Sequence, residues 1–177
     1  MRKIYFLTLV LLTISITTNA KKPKPKLMSS IEITSKHSDK GKRVSFDWYA
    51  SEYLPMITYF RCKNNTDERI FIEWENARME GNDKIVFGSD SQLTMNNPKS
   101  DEAVSPKSNS IERNLTSSFY MSYPIATNGG CVFNYKKLKK NIGNKEIRFL
   151  KIPIRFSDNT IEEYKITIGV WYELPSN

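Results

Sequence analysis

From Ser29 to Tyr172 no window of a dozen residues keeps a helical period; short alternating or β-branched runs follow one another, separated by polar turns. A chain patterned this way can bury its apolar side chains only by laying strands face to face. The runs predict strands over 29–35, 43–49, 56–62, 69–75, 84–88, 117–122, 131–135, 146–156 and 160–172. The fold class expected is all-β, an antiparallel β-sandwich of eight or nine strands with one long polar loop.

Two hairpins anchor this reading. KNNTDE, residues 63–68, joins two β-rich runs and supplies Asn64, Asn65 and Asp67 for a turn; SDNT, residues 157–160, does the same between Phe156 and Ile161. In RIFIEWE, Ile70, Ile72 and Trp74 share the core face, and Phe71, Glu73 and Glu75 the outer one. In the last strand Tyr164, Ile166, Ile168, Val170 and Tyr172 share a face, so one side packs on a core. Pro153 lacks an amide proton and predicts an edge or a bulge. Residues 92–109, QLTMNNPKSDEAVSPKSN, hold two prolines and little to bury, and read as a long excursion. KKLKKNIGNK, residues 136–145, reads either as a short helical turn or as an exposed basic loop.

Ahead of this body stands MRKIYFLTLVLLTISITTNA. Arg2 and Lys3 precede an apolar run that is shorter than the roughly 20 residues needed to span a bilayer, and small residues end it at Ala20. Residues 1–20 are therefore expected to be a secretory signal peptide, and the mature chain periplasmic or secreted. No cysteine near Ala20 could take a lipid, and no later stretch predicts a membrane span. Residues 21–28, KKPKPKLM, predict a solvated Lys/Pro linker, the alternative being a basic arm lying close to anionic envelope polymers or lipid head groups. Residues 29–177 form the single expected domain. Of the net +8, setting aside Arg2, Lys3, Lys21, Lys22, Lys24 and Lys26 leaves +2 on the body from Leu27 onward. The basic balance is a property of the tail, so nucleic acid is not an expected partner.

Chemistry-bearing residues are sparse. The one histidine, His37, falls in a polar turn; with two cysteines there is no zinc set, and no GxSxG elbow or phosphate-cradling glycine loop occurs. No catalytic residue, metal site or cofactor is expected. Glu73 and Glu75 are the most visible carboxylate pair for a carbohydrate hydrolase, but their pattern reads more simply as an outer strand face. Ser100, Asp101 and Glu102 read as polar loop.

In an oxidising compartment Cys62 and Cys131 are most simply joined as one disulfide, closing a loop of about 70 residues worth about 4 kcal/mol in the chain-entropy picture. Two buried thiols are the competing reading, since free cysteine is a good small core residue. A reactive thiol is the third.

Trp74 follows Cys62 by twelve residues, and Cys131 comes at a separation similar to that in immunoglobulin domains, where a tryptophan packs on an inter-sheet disulfide. Gly129 stands where such domains carry a tyrosine, so the likeness implies an immunoglobulin-like sandwich and not a true immunoglobulin domain. The chain also resembles small exported bacterial envelope proteins. The residues that carry this are FRCKNNTDERIFIEWENARM, KIVFGSD, SPKSNSIERN, Tyr123-Pro124 and IRFLKIPIRFSDNTIEEYKITIGV, and what it implies is an envelope β-sandwich with no catalytic residues to carry over. The expected function is a non-enzymatic exported binding module for a protein or polymer partner. A structural subunit of a surface or secretion assembly is the alternative, and a carbohydrate hydrolase stands behind both.

Overall fold

The computed structural model describes residues 23–35, 43–53, 56–88, 97–121 and 132–175. The expected leader, His37, Cys131, Gly129 and Tyr123-Pro124 lie outside the described residues. The fold is all-β, as the alternation requires. Its strands are β1 (Lys26–Ser35), β2 (Val44–Tyr49), β3 (Ile57–Asn64), β4 (Ile70–Ile72), β5 (Arg78–Met79), β6 (Asp83–Phe87), β7 (Glu102–Val104), β8 (Arg113–Ser117), β9 (Glu146–Arg155) and β10 (Ile161–Glu173). A 3₁₀ turn, Trp74–Asn76, follows β4, and the described residues also hold two short helices, α1 (Ser118–Met121) and α2 (Tyr135–Lys140).

All pairings are antiparallel, in the order β1-β10-β9-β5-β6-β8-β3-β2, with β4 set between β9 and β7. The two ends of that order, β1 and β2, come close to each other, so the sheet curls nearly into a barrel. Inside lie the faces the alternation predicts: Tyr164, Ile166, Ile168, Val170 and Tyr172 of β10 are all buried, as are Ile70 and Ile72 of β4. Each such side chain taken fully out of water contributes about 1.5–3 kcal/mol. The hairpin at 157–160 forms as expected, with Asp158 accepting from the amide and hydroxyl of Thr160.

Several expectations need correction. The turn at 63–68 does not close a hairpin, because β3 pairs with β2 and β8 while β4 leaves for β9 and β7. An alternating run specifies its faces but not its neighbours. Asn64 does help make the turn, its Oδ1 accepting from the Thr66 amide and hydroxyl, but it is also fully buried, its amide NH2 facing the carbonyls of Glu68, Val104 and Ser105. The excursion at 92–109 contains β7, whose Glu102 and Val104 are buried. The strand expected over 69–75 stops at Ile72, and Trp74 reaches the core from the 3₁₀ turn.

Of the strand expected over 117–122 only Ser117 lies in a strand, as the last residue of β8, and Ser118–Met121 form α1. Val132 and Phe133 are buried without forming a strand, and Asn134 caps α2 by accepting from the Lys137 amide. Tyr135 and Leu138, three residues apart, are the two buried residues of that helix, which is the helical reading of 136–145. The chain joins the sheet at Lys26, inside the stretch read as linker, where it pairs with Glu173.

Pro153 is not on an edge. One flank of β9 pairs with β10 throughout, and the other is shared by β5 at Leu150 and Lys151 and by β4 at Ile154 and Arg155. Pro153 falls at the seam between them, where its carbonyl accepts from the Glu73 amide and no ladder bond needs the proton it lacks.

Asn64→Ala removes every side-chain bond of that hub and strands buried carbonyls. Urea unfolding is expected to show a loss of about 2–4 kcal/mol, against less than about 1 kcal/mol for Asn65→Ala next to it; equal effects of the two would show that Asn64 is an ordinary turn residue.

Candidate functional site

The carboxylates singled out in the sequence, Glu73, Glu75, Asp101 and Glu102, come from two distant segments, and the fold distributes them over three polar clusters. Glu102, on β7, is 8% exposed; its Oε2 accepts from Trp74 Nε1 at 2.9 Å and Arg113 Nη2 at 3.2 Å, and its Oε1 accepts from the Ile111 amide at 2.6 Å. Glu73 is not on an outer face as the strand pattern suggested: it is 9% exposed, takes Arg155 Nε at 3.1 Å and the Asn76 amide group at 3.1 Å. Arg155 also holds Asp101 and lies 4.6 Å from the Phe71 ring centre. Glu75 turns the other way, to Lys84 Nζ and the Lys99 amide.

The reason for the divergence is the 3₁₀ turn. Had the strand continued, residues two apart would share a face; helical backbone at 74–76 instead separates Glu73 from Glu75. Phe87 packs edge-on to Trp74 at 5.2 Å, with the Arg113 guanidinium 4.5 Å from its ring centre. Glu73, Glu75, Asp101 and Glu102 each meet a cation; Glu73 and Asp101 share Arg155 from far along the chain, and Glu102 also ties Trp74 to β7. This is the chemistry of a clasp. Ser100 stays exposed beside it. Among the described residues no three His, Cys, Asp or Glu side chains gather to hold a metal ion.

Cys62, on β3, is a free thiol, 1% exposed within the same core as Trp74. The expected Cys62–Cys131 bond is thus not formed in this structure, and Cys131 lies outside the described residues. Burial, and secondarily the Glu102 carboxylate, push the Cys62 thiol well above its usual range, the opposite of what a nucleophile needs.

A second surface was not legible in the sequence. On β3 the register slips against both neighbours, and Ile57 and Thr58 are both fully buried in succession. The residue after them, Tyr59, takes φ 53°, a left-handed backbone that a bulky side chain occupies only under strain. Its amide donates to Asn114 Oδ1 of β8. The effect is to turn the Tyr59 ring outward, 48% exposed, against Tyr49 of β2, 62% exposed, with ring centres 6.0 Å apart. Beside them, on the same outer face, Arg61 pairs with Asp47 at 3.3 Å. Ile57-Thr58 reads as ordinary alternation in the sequence; the bulge that buries both shows only in the pairing with β2 and β8.

The chain matches no protein-family model, no curated protein and no solved structure. Among the described residues no helix is long and apolar enough to cross a membrane.

Two measurements test the site. The Lys84 ammonium, then the Lys99 amide, hold the Glu75 carboxyl below its ordinary value of 4.5. A carboxyl depressed in the folded state stabilises the fold above its unfolded value and loses that contribution as pH falls through the folded one. Urea midpoints followed from about pH 6 to about pH 3 are expected to fall less steeply in Glu75→Gln than in the parent; identical slopes would show that the pair adds nothing. Cys62 is expected to resist iodoacetamide in the native protein and to react after unfolding without reductant; resistance in both states would show a disulfide instead.

Proposed function

We propose that the chain is a non-enzymatic exported binding module, periplasmic or secreted, that engages a protein or polymer partner. It would belong among immunoglobulin-like β-sandwich envelope proteins. The apolar leader-like segment after Arg2-Lys3 and the near absence of catalytic residue types support export and binding. The observation that carries the reading is Tyr59. Backbone strain of about 1–3 kcal/mol is held at a residue whose aromatic ring stands exposed. Paired tyrosines edged by the Asn114 amide and the Arg61–Asp47 pair offer flat apolar area with polar groups at its margin, a composition suited to partner recognition.

A second reading, a structural subunit of a surface or secretion assembly, draws on β1 and β2. Each ends the strand order and has one flank unpaired among the described strands, where a neighbouring chain could add a strand.

The experiment is a pull-down from envelope extracts with the parent chain, Tyr49→Ala/Tyr59→Ala and Tyr59→Gly. A partner retained by the parent and lost from both variants is the expected result. Tyr59→Gly is further expected to gain up to about 1 kcal/mol in stability, because glycine takes the left-handed backbone without strain. Loss of binding together with gain of stability separates a recognition role from a structural one. Equal background from all three chains overturns the binding reading, and a stable assembly on sizing at native expression favours the subunit reading.

A further inference from the structure

The sequence places two basic segments far apart: the Lys/Pro arm before β1, and the lysines of 136–145. The fold puts them on opposite flanks of the same few residues of β10. On one flank Lys26 and Leu27 of β1 pair with Glu173 and Tyr172. On the other the Gly143 amide donates to the Tyr172 carbonyl, continuing the line of β9 past its first residue. Two strand spacings separate the segments, about 10 Å.

Lys24, Lys26, Lys136, Lys137, Lys140 and Lys145 are all exposed and form no ion pair among the described residues. Lys139 is exposed as well and pairs with Glu52. The other acidic groups here are engaged: Glu146 with Arg148 and the Asn134 amide, and Glu173 with the Trp171 indole. Lys145 is held in place. Its stem crosses Gly169, where any Cβ would meet it at 2.1 Å, and its ammonium sits 4.9 Å from the Trp171 ring centre. Between α2 and the turn after it lies a concavity of about 330 Å³, with Lys137, Asn141, Asn144 and Lys145 on its wall. Apolar side chains stand among the charges: Ile142, at the tip of the turn, is 43% exposed, and Leu174, just past β10, is 54% exposed.

We propose that this end of the barrel docks on an anionic bilayer surface, its lysines against lipid phosphates and Ile142 with Leu174 dipping into the headgroup boundary. Charge alone would suit any polyanion. Exposed aliphatic side chains between two lysine-rich segments suit an interface that is charged outside and apolar beneath. Neither Tyr49 nor Tyr59 is among the residues invoked here, so failure of the vesicle test is distinguishable from failure of the partner-binding reading.

The test is co-sedimentation of the chain from Lys21 onward, which keeps every described element, with vesicles of phosphatidylcholine alone or with about a quarter phosphatidylglycerol. Binding is expected on the anionic vesicles only, weakening with salt. Each of Lys24→Gln, Lys26→Gln, Lys137→Gln and Lys145→Gln is expected to weaken partitioning about fivefold. Ile142→Ser is expected to weaken it by a similar factor while leaving binding to soluble polyphosphate unchanged. Equal binding to neutral vesicles overturns the proposal. So does an Ile142→Ser chain that partitions like the parent, since the lysines would then serve a soluble polyanion.

Discussion

A buried carboxylate is the most expensive group in this fold, and Glu102 is the one on which the arrangement around it depends. Taking such a charge out of water costs several kcal/mol, recovered only where cations and donors meet it in good geometry. Arg113, the Trp74 indole and the Ile111 amide do so. They arrive from β8, from the 3₁₀ turn and from the connection between β7 and β8, so the carboxylate draws three otherwise separate segments together. Trp74, fixed by that bond, then sets Phe87, and β7 is held beside β4.

A second polar tie closes the other side. Arg43, at the start of β2, reaches Glu162 of β10 and Glu68 of the turn after β3, both at 2.8 Å, and stacks over Phe156 at 3.4 Å. Tyr164 donates to the same Glu162. With Asn64, these contacts fall where strands change partners, and Pro153 marks another such place. The regular ladders supply most of the backbone bonds; polar side chains decide how the ladders join.

Much of this was legible and some was not, for reasons visible at particular residues. The inward face of β10 follows directly from alternation, because a strand has only two faces and one is apolar. The hairpin at 157–160 follows from local turn chemistry. Neither argument reaches β4, whose Ile70 and Ile72 would be buried equally well beside β3 or beside β9. Glu73 and Glu75 were visible as a pair, yet the 3₁₀ turn between them sends one to Arg155 and the other to Lys84. Asp101 and Glu102 read as loop because a strand of three residues with one charged inward position leaves almost no periodic signal.

The sequence by itself determined the all-β class, the core faces of the long strands, the short helix at Tyr135–Lys140 as one of two readings, and the sparseness of catalytic residue types. These depend on period and local propensity, which neighbouring residues carry among themselves. Only the tertiary structure decided which strands pair and that Glu102 is a buried hub and not a loop residue. It also decided that Tyr59 turns outward and that the two lysine-rich segments flank one end of β10. Those outcomes depend on contacts between residues far apart in the chain, where the cost of burying a charge or straining a backbone is met by partners no local pattern names.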